Sequence, residues 1–237
     1  MEKKLEISTE DNHIIYGALN YDKTPKDKLI IFCHGLSWNI NEHHYFNAVP
    51  FFNPKGYDTF RFFFYARAPK ARQFSECSVS IHALDINTIL EYFKDKYKNI
   101  YLVGHSLGAI AIMNAKTDIV AKNIFWDPSL GPKNLEDKNI TYDEKTKLYT
   151  LHWGLEFTAN KEMIKEWQDS SNPQEYSKRI KGNCGFVFAG NNIYHNAWKP
   201  YIENYDVRVV EWASHIFTEE GTEKKLFEET LDLLEKN

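Results

Sequence analysis

Short runs that are apolar at almost every position recur along this chain, and they restrict its fold more than any other feature. Leu29-Ile30-Ile31-Phe32-Cys33 is the clearest, and the stretches 59–65, 100–103, 123–126, 185–189 and 207–212 share its character. A strand with one wet face alternates apolar and polar residues. A run that is apolar throughout suits a parallel strand covered on both faces. The intervals between these runs carry the helical period instead. In 80–98, Ile86, Ile89, Leu90, Phe93 and Tyr97 fall on one stripe. The stretch 107–115 reads as a helix of small residues. The stretch 223–235 places Leu226, Phe227, Thr230, Leu231 and Leu234 on one face, with Thr222 as its cap. Residues 5–8 and 13–20 read as a hairpin around Thr9-Glu10-Asp11-Asn12. Strands alternating with helices predict an α/β fold with a doubly wound, mostly parallel sheet. A length of 237 residues suits one domain, 1–237. Within it, 131–182 is too long for a simple connection and is expected to be an insertion with structure of its own.

Composition removes several function classes. Hydrophobic residues make up 43% of the chain, which is ordinary for a globular protein. The net charge is −4 and no like-charge block stands out, so no nucleic-acid partner is expected. The N-terminus Met1-Glu2-Lys3-Lys4 is charged, without the apolar core of a signal peptide. No apolar run approaches the roughly 18 residues that span a bilayer. The three cysteines lack CxxC spacing, which fits a reducing compartment. A cytoplasmic protein is expected. His43-His44 lack companions at metal-ligand spacing, and no phosphate-cradling glycine loop appears. The sequence therefore calls for no metal and no cofactor.

The chemistry is concentrated at Gly104-His105-Ser106-Leu107-Gly108, which follows the run 100–103 and opens the helix 107–115. Strand, tight turn and helix in that order form the context of a nucleophile elbow. Only small residues fit at positions 104 and 108. The turn projects Ser106 above a helix N-terminus, where developing negative charge is stabilised. Acyl transfer also needs two backbone donors for the tetrahedral oxygen. The N–H of Leu107 is one candidate. The N–H of Leu36, in the loop His34-Gly35-Leu36-Ser37-Trp38, is the other. His34 itself is expected to be structural.

A serine nucleophile needs an imidazole to accept its proton. Among the nine histidines, His215 stands directly after the run 207–212 and before the last helix. That slot returns a base to the carboxyl edge of the sheet. His105, inside the elbow, is expected to point into the sheet. The base in turn needs an orienting acid. The loop after 185–189 reads Gly190-Asn191-Asn192 and has no carboxylate. Asp127, which ends the run 123–126 before Pro128, is the candidate acid. Asn192 remains open as a neutral orienter of His215.

With Gly104–Gly108, His34-Gly35 and Ser214-His215 in this order, the chain resembles the α/β-hydrolase superfamily, and most closely its small esterase or acyl-hydrolase members with a short lid. The resemblance runs from the first strands to the last helix. It implies a catalytic triad of Ser106, His215 and Asp127, with 131–182 in the place of the lid. It also implies hydrolysis of a carboxylic ester, thioester or amide through an acyl-enzyme on Ser106.

The expected partner is a small-molecule acyl substrate. Trp38, Trp153, Phe157 and Trp167 are candidate substrate-binding residues. Met163 and Trp167, four apart on an expected helix, share a face that either lines an acyl-binding cleft or packs the helix onto the body. Arg67, Lys70 and Arg72 in 66–73 offer positive charge to an anionic group, although a solvated loop explains them as well. The alternatives are a catalytically weakened acyl-ligand-binding protein and an acyltransferase of the same fold. The missing carboxylate after Gly190 favours the first.

Overall fold

The computed structural model describes residues 1–24, 26–37, 39–133, 139–152, 156–190 and 192–236. Eight strands form the main sheet in the order β1-β2-β4-β3-β5-β6-β10-β11. They are β1 (Glu2–Ser8), β2 (Ile14–Asn20), β3 (Lys28–Cys33), β4 (Tyr57–Phe62), β5 (Asn99–His105), β6 (Val120–Trp126), β10 (Cys184–Ala189) and β11 (Asp206–Val210). β1 pairs antiparallel with β2, and β2 antiparallel with β4. All the remaining pairs in this sheet are parallel. The expected doubly wound, mostly parallel sheet is what the chain forms, with the hairpin at one edge.

Alternation along a strand explains why the central runs are apolar throughout. Successive side chains point to opposite faces, and here both faces are covered. Leu29, Ile31 and Cys33 of β3 enter one core cluster, with Ile86 and Ile89 of α3 (Val79–Phe93) and Ile110 of α4 (Leu107–Asn114). Ile30 and Phe32 enter the other, with Tyr45 of α1 (His43–Phe46), Phe52 of α2 (Ala48–Phe52) and Leu226 and Leu233 of α8 (Thr222–Glu235).

The segment 131–182 does have structure of its own. Among its described residues, β7 (Ile140–Asp143), β8 (Leu148–His152) and β9 (Glu156–Ala159) form a separate antiparallel sheet. The helices α5 (Lys161–Asp169) and α6 (Pro173–Tyr176) follow, before the main sheet resumes at β10 and continues through α7 (Ile193–Trp198). On α5, Met163, Ile164 and Trp167 are buried together on the face that meets the body.

Some local readings shift. Thr222 is the first residue of α8 rather than its cap. Gly221 occupies the cap position with φ 80°, and the Thr222 hydroxyl donates back to the Glu219 carbonyl at 2.7 Å. α3 ends at Phe93, short of the expected Lys98, because the charged residues beyond it leave the apolar stripe. Tyr97 stays buried by donating its hydroxyl to Asp58 at 2.9 Å.

Candidate active site

Three strand ends deliver the site. β5 ends at His105, and the chain turns at Ser106 with φ 54° and ψ −119° before α4 begins at Leu107. This is left-handed backbone that a β-carbon disfavours, and it holds only where the surroundings dictate it. The neighbouring glycines show what dictates it here. A Cβ on Gly108 would lie 2.2 Å from the Cys33 carbonyl oxygen, and one on Gly104 would lie 2.7 Å from the Ala109 nitrogen. Helix and strand are therefore packed too closely for any side chain at either position. The Ser106 N–H is anchored to the Trp126 carbonyl at 3.0 Å.

His215 lies in the loop between β11 and α8. Its Nε2 is 2.9 Å from Ser106 Oγ, and its Nδ1 is 2.5 Å from Asp127 Oδ2. Asp127 is fully buried at the end of β6, with φ 41°. A buried carboxylate is costly unless its oxygens are satisfied, and these are. Oδ1 accepts from the Ala189 N–H at 3.2 Å, and the Asn192 amide donates to both oxygens at 3.1 Å. One continuous line of contacts thus runs from a buried acid through an imidazole to a serine hydroxyl. A carboxylate at Nδ1 fixes the ring with Nε2 facing the hydroxyl as an acceptor.

Asn192 therefore stands one step away from the place expected for it. Its side chain contacts Asp127, and the structure records no hydrogen bond from it to His215. Its Oδ1 accepts from the N–H groups of Tyr194 and His195, which caps α7. An amide can donate to a carboxylate and accept from a helix end at once, and its sequence position alone does not say which partner the donor finds. Tyr194 closes the site from α7, its ring centroid 5.0 Å from that of His215.

The loop after β3 lies against the nucleophile, since a Cβ on Gly35 would be 3.1 Å from the Ser106 Cβ. His34 holds that loop as expected. Its Nδ1–H donates to the Gly35 carbonyl at 2.8 Å, and its Nε2 accepts from the Phe64 N–H at 3.0 Å. Full burial pushes this imidazole down to about 4. Among the described residues, no hydrogen bond engages the N–H of Leu36 or of Leu107. Left-handed backbone gathers around this spot: Ser37, Ser106, Asp127, Trp212 and Phe217 all have positive φ.

The remaining expected residues divide. Trp38 and Trp153 lie outside the described residues. Trp167 is only 6% exposed and lies in the core cluster, in line with the packing of its helix onto the body. Phe157 is half-buried, its ring 6.3 Å from that of Phe74. Arg72 is not offered to a ligand, because it pairs with Asp11 and Asp85. A groove of about 1070 Å³ is lined by Ser37, Phe63, Tyr65 and Arg67 together with residues of β1 and β2. No sequence signal marked it, because it is built from two loops and a strand edge. Among the described residues, no cluster of His, Cys, Asp or Glu could hold a metal ion. No described helix is long and apolar enough to cross a membrane.

Comparison with solved structures agrees with this architecture. Est1E from Butyrivibrio proteoclasticus, solved with ferulic acid bound, aligns with a TM-score of 0.77 at 17% identity, covering 98% of this chain and 100% of that one. The esterase Pf2001 from Pyrococcus furiosus aligns with a TM-score of 0.67 at 20% identity, covering 99% and 91%. Mouse alpha/beta hydrolase domain-containing protein 10 aligns with a TM-score of 0.68 at 18% identity, covering 98% of each chain. No family profile and no curated protein matches the sequence. The fold is that of the α/β hydrolases, over nearly the whole chain. At these identities the likeness is one of fold, and the chemistry rests on the side chains.

Proposed function

We propose that this protein is a serine hydrolase that cleaves a carboxylic ester, or a thioester or amide, through an acyl-enzyme on Ser106. The observation that carries this reading is the line Asp127–His215–Ser106, with contacts of 2.5 and 2.9 Å. In this mechanism Ser106 Oγ attacks the carbonyl carbon while His215 Nε2 takes its proton. The N–H groups of Leu36 and Leu107 hold the oxyanion. The imidazolium, stabilised by Asp127, returns the proton to the leaving alcohol, thiol or amine. Water then repeats the sequence and releases the acid.

The esterase name of the Pyrococcus furiosus neighbour favours an ester among these substrates. We further propose that the groove lined by Ser37, Tyr65 and Arg67 takes part of the substrate, and that 131–182 serves as the cap of the site. The reading as a faded ligand-binding protein drew on the missing carboxylate after Gly190. The contact between Asp127 and His215 supplies a carboxylate from the neighbouring strand end, which removes its main support.

Short-chain p-nitrophenyl esters test the proposal. They should give a burst of p-nitrophenol, a fluorophosphonate should label Ser106, and Ser106→Ala should lose both. Turnover that survives in Ser106→Ala would rule the mechanism out. An acyltransferase would instead form a new ester when an alcohol acceptor is added.

A further inference from the structure

The histidine inside the elbow is left over by this mechanism. His105 is fully buried, and its Nε2 lies 2.7 Å from the backbone carbonyl of His215. A carbonyl only accepts, so His105 Nε2 carries the proton and donates. Adjacent residues on one strand end thus grip the same residue on another. The Ser106 hydroxyl meets the ring of His215, and the His105 imidazole holds its backbone.

The loop that bears His215 has reason to need this second hold. Its own hydrogen bonds close it on itself: Ala213 N–H to the Val210 carbonyl, Phe217 N–H to the Ser214 carbonyl and Ser214 N–H to the Glu219 carboxylate. Trp212 and Phe217 both have left-handed backbone. Among the described residues, the bond from His105 is the one that ties the main chain of residue 215 to the sheet. His105 is itself braced. The His44 ring meets it at 5.0 Å, His43 meets His44 at 4.8 Å, and His43 Nδ1 reaches the Glu223 carboxylate on α8 at 2.6 Å.

We propose that His105 is a positioning residue for the hydrolysis assigned above: its Nε2–H fixes the height of the His215 main chain over Ser106. The inference rests on that assignment. Misplacement of a reacting group by about 1 Å costs on the order of 100-fold in rate, so this hold acts on kcat and leaves substrate binding alone. His105→Leu removes the donor. His105→Gln keeps an amide N–H that can reach the same carbonyl.

With p-nitrophenyl butyrate, His105→Leu should lower kcat by about 10- to 100-fold while KM stays within about twofold. His105→Gln should recover most of the loss. Equal impairment of the two variants would mark a packing defect and overturn the proposal, as would a His105→Leu enzyme with unchanged kcat. The unaltered protein provides a readout that does not depend on a variant folding. Nitrogen-15 NMR should find His105 protonated at Nε2, and an Nδ1–H tautomer overturns the inference. The two readings fail separately. Activity surviving in Ser106→Ala sinks the hydrolase mechanism, whereas a dead Ser106→Ala beside an unimpaired His105→Leu sinks only the role of His105.

Discussion

At the scale of single residues, the division of labour between Asp127 and Asn192 has unequal consequences. Asp127→Asn keeps the shape of the site but replaces the charge facing Nδ1 with an amide that favours the other tautomer. Its kcat should fall by about 10⁴-fold. Among the described residues, the Asn192 side chain hydrogen-bonds only to the acid and to the N-terminus of α7, so Asn192→Ala should cost far less, about tenfold. Steady-state kinetics of the two variants, with circular dichroism to verify folding, checks the ranking, and an Asn192 variant worse than Asp127→Asn would reverse it. Ser106, His215 and Asp127 were legible in the sequence because each ends or follows an apolar run, where a parallel sheet delivers its loops to one edge. The partner of Asn192 was not legible. An amide near a carboxylate at the edge of one sheet admits several hydrogen-bond patterns, and only packing selects one.

At the scale of elements, the elbow depends on how closely α4 approaches β3 and β5. Gly108→Ala puts a methyl group 2.2 Å from the Cys33 carbonyl oxygen, and backbone cannot rotate away as a side chain can. The cost should be about 2–3 kcal/mol or more. For a chain of this size that lowers Tm by about 5–10 °C, which calorimetry would read. An unchanged Tm would show that the helix can shift at little cost. The long elements were legible from their periodicity. The short α1 and α2 were not, since four or five residues carry no period and Pro50 reads as a breaker. The three-stranded sheet of the insertion escaped for a related reason. Its strands of four or five residues expose several side chains, so they lack the apolar runs that betrayed the main sheet.

At the scale of the whole molecule, a set of buried histidines couples stability to pH. His34, His44, His82 and His105 are each 2% exposed or less. Burial pushes His34 down to about 4 and the other three well below the ordinary value of 6.5. The unfolded chain takes up these protons below about pH 6.5 while the folded chain refuses them. The unfolded state therefore binds more protons, and stability rises with pH. The contribution is complete above about 6.5 and is lost as the pH falls toward 4. Each such histidine adds a slope of about 1.4 kcal/mol per pH unit once the pH is well below 6.5. Asp85, which burial pushes up to about 6, acts with the opposite sign below that pH and offsets about one histidine. The urea midpoint should accordingly hold steady from pH 8 to 7 and fall from 6.5 to 5. His82 isolates the effect, because it makes no hydrogen bond to Ser106, His215 or Asp127 and neither of its ring nitrogens has a hydrogen-bond partner among the described residues. His82→Leu removes two unpartnered polar atoms and one titrating group. It should gain about 1–2 kcal/mol at pH 7 and flatten the acid slope by about 1.4 kcal/mol per pH unit. A variant whose stability falls as steeply as the parent's between pH 6.5 and 5 would show that His82 is protonated in the folded protein.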